Sequence, residues 1–298
     1  MGVFFTMRLS ILIPVYNQDC TKLVADLLDQ CNKTDIDFEI LVMDDGSTNR
    51  QTLQTNRKIA NWEHCTLHEF GHNQGRSCIR NRLVKESTGE YLLMIDSDAI
   101  VERKDFIQNY LDCLQPNTVI CGGILHPENL NCANQRLRYM YEKKCESKFT
   151  AACRNQSPYQ NLRTFNMLIP RRVALAHPFN ENIQNYGYED TLIGKELEQD
   201  NIQVLHIDNP LINGDIEDSH IFLKKTEESL RTLKQHESEI RGYSSLIQVY
   251  DKLRSLHLVW FVSLAYHLLN IPIRQLLLSR WPIFHVFQFY KLGYYCTL

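Results

Sequence analysis

The chain lacks the features that mark secreted or repetitive proteins. Its ten cysteines form no Cys-x-x-Cys pair and have no regular spacing. Residues 1–6 are short and uncharged, so we expect no signal peptide before the first apolar run. Disulfide frameworks are expected mainly in small secreted chains, so we expect reduced thiols and a cytoplasmic location. Internal repeats and low-complexity segments are also lacking. A length of 298 residues with 44% hydrophobic and 22% charged residues is then typical of an ordinary globular fold.

Acidic residues are absent after Asp251. Residues 252–298 contain five lysines and arginines, which leaves 27 bases against 35 acids in the rest of the chain. Five bases are too few for a nucleic-acid track, so no nucleic-acid partner is expected. A basic and aromatic tail on an acidic body instead favours peripheral contact with an anionic membrane, at the inner face of the cytoplasmic membrane.

Charge is also missing from residues 256–273, a stretch close to the length of a membrane span. Polar or helix-breaking residues within it would be costly in hydrocarbon; they are His257, Ser263, His267, Asn270 and Pro272. Three interpretations stay open for this segment: a transmembrane helix, a helix lying in the membrane interface, and a buried core helix. The aromatic residues interleaved with bases favour the interface.

Apolar runs predict strands at residues 9–15, 38–43, 65–70 and 91–95, and the segments between them, 19–31, 53–62 and 77–87, have helical spacing. Strands that are apolar throughout and alternate with helices predict a parallel sheet covered on both faces. The middle is less regular, with strands expected at 118–122, 164–169 and 202–207. Helices are expected there at 134–145, 188–199 and 219–239, the last of them polar and interpreted as a solvated helix lying on the body.

Two acidic pairs follow predicted strands. Asp44 and Asp45 come after residues 38–43, and Asp96 and Asp98 come after residues 91–95. Open α/β sheets bind ligands at the carboxyl ends of their strands. Carboxylates two residues apart suit a hard cation such as Mg²⁺ or Mn²⁺, although each pair alone could be a turn or a helix cap.

Signatures of three other protein classes are missing. The turn after the first strand, residues 14–18, lacks the Gly-x-Gly-x-x-Gly of dinucleotide-binding enzymes. It also lacks the Gly- and Arg-rich loop of sugar-1-phosphate nucleotidyltransferases. Residues 277–281, LLSRW, contain only the end of the Q-x-x-R-W signature of processive polysaccharide synthases.

Several segments together resemble family 2 glycosyltransferases of the GT-A fold. They are residues 10–17 (SILIPVYN), 42–47 (VMDDGS), 73–76 (NQGR), 80–81 (RN), 89–91 (GEY), 96–98 (DSD), 166–169 (NMLI), 186–190 (YGYED) and 222–227 (FLKKTE). The resemblance covers about residues 8–230, and residues 289–292 look like the endings of some bacterial members. It implies a mainly parallel α/β sheet flanked by helices, with a helical C-terminal appendage, and a role in building surface polysaccharides.

The resemblance also implies roles for individual residues. Asp98 would be the principal metal ligand, with Asp96 near the ribose or a metal-bound water, and Asp190 would be the general base beside Glu189. The donor-binding residues would be Pro14, Tyr16, Asn17, Asp44, Asp45, Gly75, Arg76, Arg80, Asp96 and Ser97. A sugar hydroxyl is a poor nucleophile until a carboxylate takes its proton.

One departure from the family pattern concerns the metal. Members often supply a histidine ligand where this chain has Asn213. His220, seven residues later, could substitute only if the loop bends back. Without a third protein ligand, Mg²⁺ or Mn²⁺ would be held by Asp98, the donor diphosphate and water.

We therefore expect an inverting transferase that moves a sugar from a nucleotide-diphosphate donor, UDP-linked in our prediction, to a glycan or lipid-linked acceptor. Residues 1–240 would form the catalytic domain, with a donor half at about 8–100 and an acceptor half at about 101–240. Residues 241–298 would be the helical extension. The alternative is a degenerate, sugar-nucleotide-binding scaffold subunit of a glycan-assembly complex.

Overall fold

A seven-stranded sheet forms the centre of the fold in the computed structural model, which describes residues 7–130, 132–146, 150–183 and 187–298. Its strands are β1 (Arg8–Val15), β2 (Asp37–Asp44), β3 (Cys65–Glu69), β4 (Tyr91–Ile95), β6 (Thr118–Cys121), β8 (Asn166–Pro170) and β9 (Gln203–His206). Their order is β3-β2-β1-β4-β8-β6-β9. Only β8 runs antiparallel to its neighbours β4 and β6 among these strands. The predicted, mainly parallel sheet is confirmed.

A second sheet consists of three short strands, β5 (Ala99–Ile100), β7 (Ile124–Leu125) and β10 (Leu211–Asn213). Strand β10 lies between the other two, antiparallel to β5 and parallel to β7. Asn213 is opposite Ala99 in this register. The residues directly after Asp98 are therefore held by a segment far along the chain.

Thirteen α-helices occur in the described ranges. They are α1 (Thr21–Cys31), α2 (Arg50–Asn56), α3 (Arg76–Glu86), α4 (Phe106–Asp112), α5 (Arg136–Glu146), α6 (Ala151–Arg154), α7 (Arg171–Ala176), α8 (Glu189–Gln199), α9 (Ser219–Gln235), α10 (Glu237–Ile240), α11 (Ser245–Ser255), α12 (Val259–Leu277) and α13 (Phe284–Thr297). Short 3₁₀ turns span Arg57–Asn61 and Ala133–Gln135.

Side chains of β1 alternate between the two faces of the sheet. Leu9, Ile11 and Ile13 pack with α1 and α4 on one face. Leu12 packs on the other face with residues of α3, α7 and α8. Burial on both faces explains why β1 is apolar after Arg8 except at Ser10, which is itself buried.

Helix α9 differs from the expectation of one solvated helix over residues 219–239. It ends at Gln235 and is followed by α10. Leu230 and Leu233 pack with α11 and α13, and Leu223 packs with Phe287 of α13. The helix lies on the body, with its polar side in solvent, but the prediction missed its apolar face, because the sequence window around residues 219–239 does not contain the tail helices that cover it.

The C-terminal helices pack onto the body through α13, which contacts α5, α9 and α12. Tyr290 and Tyr295 of α13 are fully buried. None of the described helices is long and apolar enough to cross a bilayer alone. Among them, α11 and α12 reach that length and apolar composition only when taken together, and they meet at a bend of 114°. The boundary at residue 240 stays a prediction, since residues on both sides of it share one cluster.

Candidate active site

Asp45 lies in a backbone cradle directly after β2. Its two carboxylate oxygens accept the backbone N–H groups of Gln74 (2.7 Å) and Gly75 (3.0 Å). Gly46 permits this approach: its φ is +74°, and a Cβ there would lie 2.4 Å from the carbonyl carbon of His72. Burial raises the pKa of Asp45, although the two N–H groups oppose the shift.

Asp44 and Asn17 tie the loops after β1 and β2 together. Asp44 accepts the backbone N–H (2.7 Å) and hydroxyl (2.6 Å) of Ser47. Asn17 has a left-handed φ of 54°, and its side-chain oxygen accepts the N–H groups of Thr48 and Asn49. These two predicted donor residues shape the loop, and Tyr16 beside them is half exposed.

Two arginines of α3 join two acids across the site. Arg80 and Arg76 contact opposite oxygens of Asp96 at 2.8 and 3.1 Å. Both also face Glu189, at 3.6 and 3.7 Å. The Arg80 side chain is only 3% exposed and, with Pro14 and Asp96, lines a small crevice. Burial raises the pKa of Asp96, but the two guanidinium groups outweigh it and hold the pKa below its usual range.

Asp98, two residues beyond Asp96, has a charge that is compensated only in part, because Arg138 lowers its pKa less than burial and nearby acids raise it. Its side chain has no ion pair among the residues that the structure describes. Burial and the nearby Asp96 carboxylate raise the pKa of Asp98 to about 6. Together with Ser97 it lines a cleft of about 170 Å³, which is also lined by Asp19, just before α1, and by Lys22 of α1.

Residues 213–215 lie beside Asp98. The N–H of Gly214 donates to the Asp98 carbonyl at 2.9 Å, and a Cβ on Gly214 would meet that oxygen. Asn213 is nearly buried, and the charge of Asp215 contributes to the raised pKa of Asp98. His220 is exposed in the first turn of α9, where Asp218 accepts its backbone N–H.

Protein ligands for a metal are few here. Within the described ranges, no three His, Cys, Asp or Glu side chains are grouped closely enough to hold a metal ion. Asp98 is the carboxylate left without a cation, because Asp96 is already paired. His220 as a metal ligand stays a prediction.

Asp190 occupies the first turn of α8, as the sequence predicts. It accepts the hydroxyl of Thr164 at 2.7 Å. Burial and the neighbouring Glu189 raise the pKa of Asp190, while Arg80 and Arg163 oppose the shift. The chain enters α8 through Gly187 and Tyr188, both with positive φ; Tyr186 of the motif lies outside the described residues.

Sequence reasoning missed three residues near these acids: Thr164, Arg163 and Asp215. Asp215 had a readable signal, because residues 213–215 (NGD) repeat the spacing of residues 96–98 (DSD). Thr164 and Arg163 precede β8, and no local pattern links them to Asp190. Their proximity follows only from the sheet order.

The sequence profile described as glycosyl transferase family 2 matches residues 10–171, which is more than half of the chain. The chain belongs to this family. The match includes both acidic pairs and the two arginines of α3. The predicted family 2 glycosyltransferase and its GT-A type of fold are confirmed.

Curated relatives match this family 2 chain over part of their length. Poly(ribitol-phosphate) beta-N-acetylglucosaminyltransferase TarS of Staphylococcus aureus is 33% identical over 102 residues, which is 33% of this chain and 17% of that protein. An uncharacterised glycosyltransferase of Haemophilus influenzae is 29% identical over 115 residues, 39% of this chain and 46% of that protein. The aligned stretches thus span less than half of these relatives.

Solved structures share the fold over a greater length. A mannosyltransferase of Pyrobaculum calidifontis in complex with GDP-Man and Mn²⁺ superposes with a TM-score of 0.60 over 99% of this chain and 86% of that chain, at 13% identity. Glucosyl-3-phosphoglycerate synthase of Mycobacterium tuberculosis, in complex with Mn²⁺ and UDP, gives 0.51 over 76% and 79%, also at 13% identity. Identities this low establish the fold alone.

Proposed function

We propose that this family 2 chain is an inverting glycosyltransferase that uses a nucleotide-diphosphate sugar, with UDP as the nucleotide. The observation that carries the proposal is one continuous polar network. Arg76 and Arg80 connect Asp96, beside the unpaired Asp98, to Glu189, beside the half-buried Asp190. Donor-binding and base-supplying residues therefore share one site.

Asp45 would bind the nucleotide base. Each carboxylate oxygen can accept two hydrogen bonds, and the backbone cradle uses one on each oxygen. One acceptor position per oxygen remains, and either could accept the single N3–H of a uridine base. Pro14, Tyr16, Asn17 and Gly75 would line the same pocket, with Asp44 holding its loop.

Asp98, supported by Asp96, would hold Mn²⁺ or Mg²⁺. Asp98 suits a divalent cation because its carboxylate is mostly buried beside other acids, which raises its pKa to about 6. A divalent cation offsets such repulsion, and Mg²⁺ commonly completes its shell with phosphate oxygens and water. When bound, the metal would offset the charge of the leaving diphosphate.

Asp190 would act as the general base. It would accept the proton of the acceptor hydroxyl while that oxygen attacks the anomeric carbon and the bond to the diphosphate oxygen breaks on the opposite face. Thr164 fixes one carboxylate oxygen of Asp190. Burial and Glu189 raise its pKa, and a higher pKa strengthens a base. Inversion follows from a single displacement.

A donor screen tests the proposal. Purified chain with Mn²⁺ and individual UDP-sugars should release UDP slowly, and Asp98→Ala should abolish the release. The matched control is Asp29→Asn, an exposed acid on α1 paired only with Lys33, which should leave the rate unchanged. Equal rates for Asp98→Ala and the unaltered chain would contradict the assigned metal site.

The alternative is a sugar-nucleotide-binding scaffold, favoured by Asn213 at the position of the family histidine. Calorimetry distinguishes it from the enzyme. A scaffold would bind UDP-sugars with Mn²⁺ but release no UDP with any acceptor extract, whereas the enzyme both binds and turns over.

A further inference from the structure

Helix α12 exposes large apolar side chains from Trp260 to Ile271. Trp260, Phe261, Leu264, Leu268 and Ile271 define an apolar face on its outer side, and Leu268 and Ile271 are more than 70% exposed. Trp281 and Ile283 extend this surface beyond the C-terminal end of the helix. A soluble protein rarely leaves such an area in contact with water, so this face requires a partner.

The opposite side of α12 is firmly packed. Tyr266 and Leu277 are buried against α13, and Tyr266 lies so close to Gly293 that a Cβ there would meet its ring at 2.6 Å. The helix is thus fixed on the body with the apolar face outward. Burial of that face by a rearrangement within this chain would require breaking the aromatic cluster.

The charge around the apolar face identifies its partner as an anionic surface. Lys252 and Arg254 precede α12 and Arg280 follows it, all three exposed, and no acid occurs after Asp251. Trp260 and Trp281 mark the two ends, an arrangement that suits the boundary between headgroups and acyl chains. A second copy of the chain would bring like charges together, so a lipid surface fits better.

The helix geometry favours lying in the interface. Pro272 is within α12, and α11 meets α12 at 114°. Exposed His267 and Gln275 on the helix would be costly in the bilayer centre. Shallow insertion buries the apolar face and leaves these polar groups near the headgroups.

A chain of contacts leads from this surface to the active site. The Arg136 guanidinium lies over the Trp281 ring at 5.6 Å and donates to the Arg280 carbonyl at 3.2 Å. Two residues before Arg136, the Asn134 side chain donates to Asp218 at 2.7 Å. Asp218 lies four residues after Gly214, whose N–H donates to the Asp98 carbonyl. The Trp281 end of the apolar face is therefore continuous with the rim of the site near Asp98.

We propose that the apolar face and the Trp281 turn dock on an anionic lipid bilayer, and that the acceptor sugar is presented there on a membrane-embedded lipid. The docking step stands on the tail alone, whereas the acceptor class rests on the proposed transferase function. Insertion of apolar side chains supplies affinity, and the three exposed bases select anionic headgroups.

Tryptophan fluorescence tests docking directly. The chain has three tryptophans, so Trp62→Phe leaves Trp260 and Trp281 as the reporters. Their emission should shift to the blue with vesicles of phosphatidylcholine and phosphatidylglycerol, and much less with phosphatidylcholine alone or in high salt. An unchanged spectrum with the anionic vesicles overturns the proposal.

A matched pair of variants separates this face from general surface effects. Leu264→Asp with Leu268→Asp should lower vesicle partitioning at least roughly tenfold, since acids oppose both the apolar and the electrostatic terms. Leu175→Asp, an exposed leucine on α7, should leave it unchanged. Sedimentation velocity without lipid tests whether a second copy of the chain covers the apolar face instead. A dimer that the double variant abolishes would overturn the proposal.

Donor hydrolysis in solution distinguishes a failure of membrane docking from a failure of the proposed transferase function. The double variant should retain it while losing transfer to acceptors in lipid extract. Loss of hydrolysis in every form would refute the transferase but not docking. Equal transfer to extracted lipid by the double variant and the unaltered chain would refute the membrane-presented acceptor.

Discussion

At the carboxyl edge of the main sheet, charged side chains are buried, whereas on the outer side of α12 large apolar side chains are exposed. Arg80 is 3% exposed, and Leu268 is 73% exposed. Each placement is unfavourable for an isolated soluble protein, because buried charges lose hydration and exposed apolar surface orders water. The first set is compensated within the chain, and the second set is not.

The difference shows what each region requires from outside. Arg76, Arg80, Asp96 and Glu189 neutralise one another, so this part of the site is preorganised before any ligand binds. Asp98 is the exception at that edge, with a carboxylate that no described cation pairs. The side chains of the apolar face are all exposed to solvent. A cation at Asp98 and a lipid surface at α12 would complete the two regions.

The largest expected effect tests the preorganised edge. Asp190→Asn should lower sugar transfer by about 10³-fold, because an amide cannot accept the hydroxyl proton. Binding of UDP with Mn²⁺, measured by calorimetry, should remain, since Asp190 is assigned to the acceptor side. Loss of UDP binding together with transfer would place Asp190 among the donor residues instead.

Removing a buried arginine that neutralises Asp96 and Glu189 should destabilise the fold. Arg80→Leu leaves Asp96 and Glu189 buried without their main partner and should lower the free energy of unfolding by about 3 kcal/mol. Arg76→Leu is the matched control, since Arg76 is half exposed and its pairs are solvent-screened, with a loss below about 1 kcal/mol. Urea denaturation measures both, and equal losses would contradict the distinction drawn between the two arginines.

The unpaired charge of Asp98 predicts an effect of opposite sign. Its pKa rises from 3.8 to about 6 on folding, so the folded state binds the proton more tightly. The free energy of unfolding therefore falls as pH rises through that window and stays lower above it. Asp98→Asn should raise the free energy of unfolding at pH 8 without metal, by about 1 kcal/mol or about 2 °C in Tm.

Two comparisons check this explanation of Asp98. The gain from Asp98→Asn should vanish near pH 4, where the native carboxyl is protonated. Mn²⁺ should raise the Tm of the unaltered chain but not that of the variant. A variant less stable than the parent at pH 8 without metal would show that the carboxylate is compensated after all.

The smallest expected effect concerns the apolar face. Leu268→Gln should change the free energy of unfolding by less than about 0.5 kcal/mol, because an exposed side chain leaves no cavity. Vesicle partitioning should nevertheless fall. A clear loss of stability in buffer would mean that Leu268 is buried in solution, and the contrast between the two regions would fail.

The sequence was most informative where a local pattern reports burial. Strands β1, β2 and β4 lie within a residue of their predicted bounds, because both faces of each strand are covered and the strands are mostly apolar, with Ser10 and Glu39 as polar exceptions. The antiparallel direction of β8 was not readable, since strand direction depends on the order of connections. The contacts of α9 with α11 and α13 were not readable either, because they join segments that are far apart in the sequence.

At the site, residue types were predictable but their contacts were not. The spacing of Arg76 and Arg80 places both on one side of a helix, yet their bridge from Asp96 to Glu189 requires the start of α8 to lie next to the end of β4. We predicted Asp44 to bind the donor together with Asp45. In the structure, the Asp44 carboxylate accepts hydrogen bonds from the N–H and hydroxyl of Ser47. Individual roles stay predictions until a donor is bound.

The pairing of Ala99 with Asn213 has a consequence for biosynthesis. A contact between residues so distant in sequence forms late, because the intervening loop must be closed first. On the ribosome, Asp98 emerges long before the strand that fixes its neighbour. We therefore expect a nascent donor half to lack the ordered neighbours of Asp98, so that the cation site proposed there would form only after the acceptor half has been translated and folded.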